Sequence, residues 1–374
     1  MTNSTVAVLD FGSGKITVLA GNKAFDSSLR IKAKGSADYA GFMDGEFLEP
    51  GNLKVSVKEA VASAEKLLGK KIKRLYVGVP TEFSYSETAE LDLLFNSKTK
   101  IKKQHVSKLF NLHKAKFISN THTVISKTPI YYKLDNGIKI VNPMGKISTN
   151  LKMFASFIYI ENNFLSMVEQ ALLYCGVTNF EFVSGAHAES VYLSTSQLRE
   201  NGVILIDCGY ITTSVAHVVG DGIVDLKSVS IGGGHIAADI AEVLNIPFAT
   251  AEQLKRKVVV TLNATADDVY EAVMDGKMAK FKAKNVNDVA LARIDMIAEG
   301  VLKCIKNFQY PVSASVTLCL TGGGVSYIKG IRDYLGKYLG YDVNIVSPAP
   351  YALSYPDLAG EVSLLDMAIN TESR

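Results

Sequence analysis

The sequence predicts an α/β protein of two similar lobes that close on a bound anion. Three observations carry this reading. From Ala7 to Gly21 (AVLDFGSGKITVLAG) an apolar strand, a glycine-rich turn and a second apolar strand read as a β-hairpin, with Asp10, Gly12, Ser13, Gly14 and Lys15 at its tip. A second such hairpin runs from Val203 to Gly220 (VILIDCGYITTSVAHVVG), and its Asp207 and Gly209 each follow Asp10 and Gly12 by 197 residues. Near the end, an apolar strand (Val316 to Leu320) runs directly into a turn, Thr321, Gly322, Gly323 and Gly324, that precedes a helix. Small residues let backbone N–H groups approach an anion while a carboxylate and an ammonium flank it, which suits a phosphate with its magnesium. A single Asp-x-Gly turn is commonplace, because turns use Gly, Ser and Asp for their unusual backbone angles. Its recurrence at half-chain spacing implies two facing lobes with a nucleotide in the cleft between them.

Composition bounds the rest. With 374 residues, 48% of them hydrophobic, and no biased tract, the chain can build two domains with proper cores. A formal charge of +3 gives no global reason to expect nucleic acid as a partner. No apolar run approaches the roughly 18 residues of a spanning helix. The opening MTNSTVAVLDFG lacks a basic region and reaches an aspartate too soon for a signal peptide. Cys175, Cys208, Cys304 and Cys319 show neither metal-ligand nor CxxC spacing, as expected of reduced core thiols in a cytoplasmic protein.

After the first hairpin a short polar stretch leads to the turn-rich GFMDGEFLEPGNL. Val57, Ala60, Val61, Ala64, Leu67 and Leu68 then share one helical face, and Gly69 stands where a helix C-terminus wants it. Lys71 to Pro80 reads as a buried strand stopped by proline. Hairpin, helix, strand is the start of an α/β domain. Ser84 to about Ile160 alternates (HTVISKTPIYYKL, MFASFIYIE) and holds one basic helical piece, so it reads as a small α+β insertion. Its Lys98 to Lys116 stretch is expected to be a solvated helix face, with an acidic lipid or protein docking patch as the alternative. Asn162 to Gly176 is an amphipathic helix, and Val183 to Leu198 a further helix bringing His187 and Glu189 toward the cleft. Past the second hairpin, Gly232, Gly233 and Gly234 lead into a helix, either as a phosphate cradle or as a hinge. Thr250 and Gln253 read as a capping box for a helix that carries Glu252 and Lys255 one turn apart. Asn287 to Phe308 is a long helix. There is no GxxxxGK[ST] P-loop and no GxGxxG dinucleotide fingerprint.

Taken in order, the two hairpins and the Thr321 to Val325 turn resemble the phosphate-one, phosphate-two and adenosine segments of the actin, sugar-kinase and heat-shock ATPase superfamily. Within it the sequence resembles the bacterial cell-division FtsA family over nearly its whole length. LDFGSGKITVLAG, the stretch from Gly41 to Pro80, NGIKIVNPMGKISTNLK in the insertion, IGGGHIAADIA, AEQLKRK and LTGGGV follow in the family's order. The resemblance implies an actin-like two-lobed fold with duplicated ribonuclease-H-like domains. Residues 1–83 with 161–198 would form the core of lobe I, 84–160 the insertion, 199–232 with 299–374 the core of lobe II, and 233–298 its small helical subdomain. It also implies ATP and Mg2+ between the lobes. Asp10 and Asp207 would hold the ion through water, Gly12, Ser13, Gly14, Lys15, Gly209, Thr212, Thr213, Gly232 and Gly233 would surround the phosphates, and Glu252 and Lys255 would meet the ribose. Gly322, Gly323, Gly324 and Val325 would lie along the base and α-phosphate. Implied partners are further copies of the chain in a filament, an FtsZ-like tubulin homologue with other division proteins, and a peripheral membrane contact.

The sequence departs from the family at Tyr210 and Ile211, where glycines are usual, at Ser214, where aspartate is usual, and at Gly234, where aspartate is usual. The family's Glu-Pro-x-Ala-Ser element falls on Ser184 to Ala188, leaving Glu189 or His187 to orient an attacking water. ATP binding with very slow hydrolysis is therefore expected, since phosphoryl transfer depends on positioning and charge stabilisation. The ending EVSLLDMAINTESR reads as a last helix of the fold rather than an amphipathic membrane anchor. A small-molecule kinase of the same superfamily and a non-hydrolysing cytoskeletal or pilus-assembly scaffold are the alternative functions.

Overall fold

Strands Val6–Phe11 (β1) and Lys15–Lys23 (β2) form the expected hairpin, with Asp10 opposite Thr17. The computed structural model describes residues 5–24, 26, 28–116, 119–265, 267–349 and 353–373, the side chains of 114–116 excepted. What reads as a short polar stretch is a third strand, Leu29–Asp38 (β3), paired to β2. Arg30, Lys32 and Ser36 are exposed while Leu29, Ala33 and Ala37 point inward, the pattern of a half-buried edge strand. After the two-residue strands Phe42–Met43 (β4) and Glu46–Phe47 (β5) comes helix Pro50–Leu68 (α1). It buries Leu53, Val57, Ala60, Val61 and Ala64 and ends on Gly69 in the left-handed conformation, as its apolar stripe and glycine predict. A Cβ on Gly35 would stand 2.2 Å from the Ala60 carbonyl, so helix and strand touch backbone to backbone there. Arg74–Val79 (β6) then runs parallel to β1.

The insertion comprises Ser84–Lys100 (β7), Lys103–Lys116 (α2), His122–Lys133 (β8), Lys139–Ile140 (β9) and Ile147–Glu161 (β10), with sheet order β7-β10-β8-β9. Leu109 of α2 packs into the core made by Leu91, Leu93, Leu151, Met153 and Phe157. Not all of the basic stretch is a solvated helix face. Lys98 and Lys100 lie on β7, and His113 is buried with its ring stacked on Phe157 and its Nε2 2.7 Å from the Tyr159 hydroxyl. The side chains of Lys114 and Lys116 lie outside the described residues. The insertion also grips the second lobe: Ile158 shares a core with Val203, Leu205, Val218 and Ile223, and the Ser156 hydroxyl donates to the Ile223 carbonyl.

Helix Asn162–Tyr174 (α3) follows, then strand Asn179–Ser184 (β11), which pairs with β6 and takes in the first two residues of the stretch read as helix from Val183, then Gly185–Leu193 (α4) and Ser196–Asn201 (α5). The second lobe repeats the first: Val203–Cys208 (β12), Thr213–Val219 (β13) and Gly222–Val229 (β14), then Gly233–Leu244 (α6), Phe248–Lys255 (α7), a hairpin Val269–Met274 (β15) with Lys277–Lys282 (β16), Ala283–Lys306 (α8), Thr317–Thr321 (β17), Ile331–Leu339 (α9) and Asp342–Ile345 (β18). Sheet order β3-β2-β1-β6-β11 matches β14-β13-β12-β17-β18, two antiparallel pairings followed by two parallel ones in each. The duplication expected from the paired hairpins thus extends to five strands per lobe.

Two sequence expectations are corrected. Thr250 does not cap a helix with Gln253: α7 starts at Phe248, and Thr250 is buried inside it, donating to the Val273 carbonyl, while Gln253 accepts from the Val273 N–H. Those side chains dock the helix on β15. The last helix, Ala359–Glu372 (α10), does not join lobe II as the 299–374 boundary requires. It buries Val362, Leu364, Leu365 and Ala368 against Val6, Val8, Leu19 and Tyr76 of the lobe I sheet. Its apolar LLDMAI stretch is core. Among the described residues, no helix is long and apolar enough to cross a membrane.

Candidate functional site

A cleft of about 660 Å³ lies between the lobes, and the two hairpin tips face each other across it. The floor carries four carboxylates. Asp10 is the next-to-last residue of β1 and Asp207 of β12, at corresponding places in the two sheets, while Glu189 comes from α4 and Glu361 from the first turn of α10. A Cβ on Gly360 would stand 3.2 Å from Asp10 Oδ2 and 3.3 Å from Glu189 Oε1, so both groups converge on the start of α10. Their mutual proximity and poor solvation favour the neutral acids. Desolvation, then Glu361 and Asp207, push Asp10 up to about 7 against the opposing pull of Lys34. Desolvation raises Asp207 to about 6, and desolvation with Asp207 and Asp10 holds Glu189 well above the usual carboxylate range. The cation at the floor is Lys34, hydrogen-bonded to Glu361.

The second tip reaches across to the first. Ser13 Oγ accepts from the Tyr210 N–H (3.1 Å) and the Ile211 N–H (2.9 Å), tying one lobe to the other. Beside this, Ser230 Oγ lies 2.6 Å from Asp44 Oδ1 and 3.1 Å from Glu82 Oε1. Gly12, Gly14, Lys15, Gly209 and Thr212 line the cleft as the sequence predicts. Thr213 does not: it is fully buried and its hydroxyl donates to the Ile231 carbonyl, because alternation along β13 puts it on the face opposite Ser214, which lines the cleft.

The glycine run before α6 supports the site by packing. Its N–H groups are taken within the protein: Gly232 by His235 Nδ1, Gly233 by the Gly209 carbonyl and Gly234 by the Tyr210 carbonyl. A Cβ on Gly233 would lie 2.3 Å from Gly324 Cα, so three loops nest where no side chain fits. Gly233→Ala is expected to lower the melting temperature by several degrees, read by calorimetry, since backbone rather than a movable side chain must yield.

On the far wall, Lys255 Nζ sits 2.9 Å from Glu252 Oε2 and 3.3 Å from the Gly233 carbonyl, the expected pair one turn apart. Gly322, Gly323 and Gly324 border the same space. Gly322 has φ 85°, and a Cβ there would meet Asp207 Oδ1 at 2.2 Å. Val325 is instead part of the lobe II core. His187 also points elsewhere: its Nε2 is 2.9 Å from the Asp221 carbonyl and its Nδ1 3.4 Å from Ser126 Oγ, against the insertion. Glu189 does face the cleft. Lys34 and Glu361 went unnoticed in the sequence, the one because β3 read as polar linker, the other because nothing near it signals a site.

Comparison with known proteins agrees with this architecture. The sequence model of the family described as cell division protein FtsA matches residues 204–363. The chain is 23% identical over 369 residues to the cell division protein FtsA of Staphylococcus epidermidis (strain ATCC 12228 / FDA PCI 1200), covering 96% of this chain and 78% of that protein. It is 24% identical over 375 residues to that of Enterococcus hirae, covering 97% and 82%. Among solved structures, the PilM-PilN type IV pilus biogenesis complex superposes with a TM-score of 0.65 at 14% identity, covering 98% of this chain and 99% of that one. MreB 5 of Spiroplasma citri bound to AMPPNP gives 0.55 at 14% identity, covering 100% and 98%. The fold is actin-like, and the resemblance to FtsA read from the motifs holds over nearly the whole chain.

Proposed function

We propose that this FtsA-like chain of actin-like fold is a cell-division protein that binds a magnesium–adenine nucleotide between its lobes and uses it to govern assembly with further copies of itself. Through that assembly it would connect an FtsZ-like tubulin homologue to later division proteins and the membrane. One observation carries the reading: two equivalent strand ends, 197 residues apart, bring Asp10 and Asp207 to the floor of one cleft. Carboxylates crowded so that they resist ionisation fit a divalent cation, which would replace the missing positive charge. Among the described residues, no group of three or more His, Cys, Asp or Glu is arranged to hold a metal alone. That fits an ion shared with phosphate oxygens and water. Ser13, Lys15, Gly209 and Thr212 would meet the phosphates, Glu252 and Lys255 the ribose, and Gly322 to Gly324 the base side.

Glu189 is the cleft carboxylate offered to orient an attacking water, and burial with Asp207 and Asp10 nearby raises it well above the usual carboxylate range, which weakens it as a proton acceptor. Turnover is therefore expected to be slow, on the order of 10⁻³ s⁻¹, in the range of nucleotidases that lack a completed catalytic set. Sedimentation and electron microscopy with magnesium and nucleotide test the assembly reading. Nucleotide-dependent pelleting and filaments support it. Fast turnover would overturn the slow-hydrolysis expectation, and phosphorylation of a small-molecule acceptor would replace the reading with a kinase.

A further inference from the structure

We propose that the phosphate trench is cut for a nucleoside diphosphate, and that Ser13 and Tyr210 hold the place of a third phosphate closed. The inference rests on the nucleotide reading above and specifies which nucleotide the cleft selects. Three observations converge on it. Consecutive N–H groups at a tight turn are the donors that a terminal phosphate oxygen takes. Here the Tyr210 and Ile211 N–H groups are both given to Ser13 Oγ, at 3.1 and 2.9 Å, so a hydroxyl from the opposite lobe stands where that oxygen would be.

The Tyr210 ring then fills the width between the tips. A Cβ added at Gly14 would come within 2.8 Å of its Cδ1, and one added at Gly234 within 2.9 Å of its Cζ. The ring lies against both loops with 42% of the residue still exposed, and Phe248 meets it edge-on with centroids 6.4 Å apart. A triphosphate enters only if this ring swings out and Ser13 releases both N–H groups.

Charge acts in the same direction. Beyond the tips lie Asp10, Glu189, Asp207 and Glu361, with Lys34 already engaged by Glu361. Magnesium bound at Asp10 and Asp207 would hold those carboxylates ionised, so a third phosphate would set its own charge against the floor at shorter range than a diphosphate does. The wall of Glu252, Lys255 and Gly322 to Gly324 is untouched by the closure, so base, ribose and two phosphates keep their space.

Calorimetry on the intact chain with magnesium, titrating ADP and separately the triphosphate analogue AMPPNP, tests this. Wild type should bind ADP at least about tenfold more tightly. Tyr210→Gly and Tyr210→Ala should bring the ratio toward one, and Ser13→Ala should lower it in part, with melting curves recorded for each variant. If the Tyr210 variants do not fold, the wild-type and Ser13→Ala ratios decide. ADP and AMPPNP binding equally, AMPPNP binding more tightly, or folded Tyr210 variants that keep the wild-type ratio would each overturn the inference and leave the nucleotide reading intact. Heat from neither nucleotide would overturn the nucleotide reading and this inference with it.

Discussion

Asp10→Asn is expected to make the empty protein more stable and, at the same time, to abolish the magnesium-dependent part of its nucleotide affinity. The two effects share one cause. In the cleft Asp10 sits among Glu189, Asp207 and Glu361, and its acid form is favoured up to about 7. A group whose folded-state value lies above its unfolded value of 3.8 supports folding most at low pH. That support is lost as pH rises toward 7 and is gone above it. Asp207, raised to about 6, acts in the same sense. Each pH unit of such a shift corresponds to about 1.4 kcal/mol, so the empty wild type should lose up to a few kcal/mol between pH 5 and pH 8 from these groups. The neutral amide should flatten that slope and raise the melting temperature at pH 8 by several degrees. Magnesium binds the ionised carboxylate and expels its proton, so wild-type affinity for the ion should rise from pH 6 to pH 8. A variant that melts lower than wild type at pH 8 would show that the floor is not a site of like-charge crowding.

Phe164→Ala is expected to cost roughly 3–5 kcal/mol of stability, the usual toll of removing a buried ring. Phe164 is fully enclosed and its ring centroid lies 4.5 Å from Phe83, 5.6 Å from Phe47 and 5.6 Å from Phe11. These rings join three parts of the molecule. Phe11 follows Asp10 at the hairpin tip, Phe83 is the last residue before the insertion's first strand, and Phe164 lies just after its last. Loss of the ring should therefore weaken nucleotide binding as well as folding. Leu109→Ala, in the core of the insertion alone, should destabilise the chain while leaving nucleotide affinity close to wild type. Denaturant titration and nucleotide calorimetry on both variants check the contrast. Equal losses of affinity in the two would show that the aromatic cluster does not transmit to the site.

The duplicated hairpins were legible because each strand is buried on both faces and the turns between them need small residues, so the pattern survives in the letters alone. Asp10 and Asp207 fell out of that spacing and Glu252 and Lys255 out of the family resemblance, and all four line the cleft. The edge strand β3 and the hairpin β15–β16 were missed for the opposite reason. Many of their residues face water, so LRIKAKGSAD reads as a polar stretch and YEAVMDGKMAKFK carries no strand signal until their partners are in place. Thr212 and Thr213 are adjacent in sequence, yet the first lines the cleft and the second is buried, a difference that only the start of β13 decides. Long-range pairing hid the rest: Lys34 and Glu361 are 327 residues apart and meet because α10 crosses back onto the first sheet. Gly78 makes room for that crossing, since a Cβ there would stand 2.4 Å from Leu364 Cδ1.

Titration of an adenine nucleotide into the intact chain, with magnesium and again with the metal chelated, bears most directly on whether the two lobes share one ligand. One nucleotide should bind per chain, at least about tenfold more weakly without magnesium, and the metal dependence should vanish alike in Asp10→Asn and in Asp207→Asn. No binding, or binding indifferent both to magnesium and to these two substitutions on opposite lobes, would contradict a nucleotide held between them.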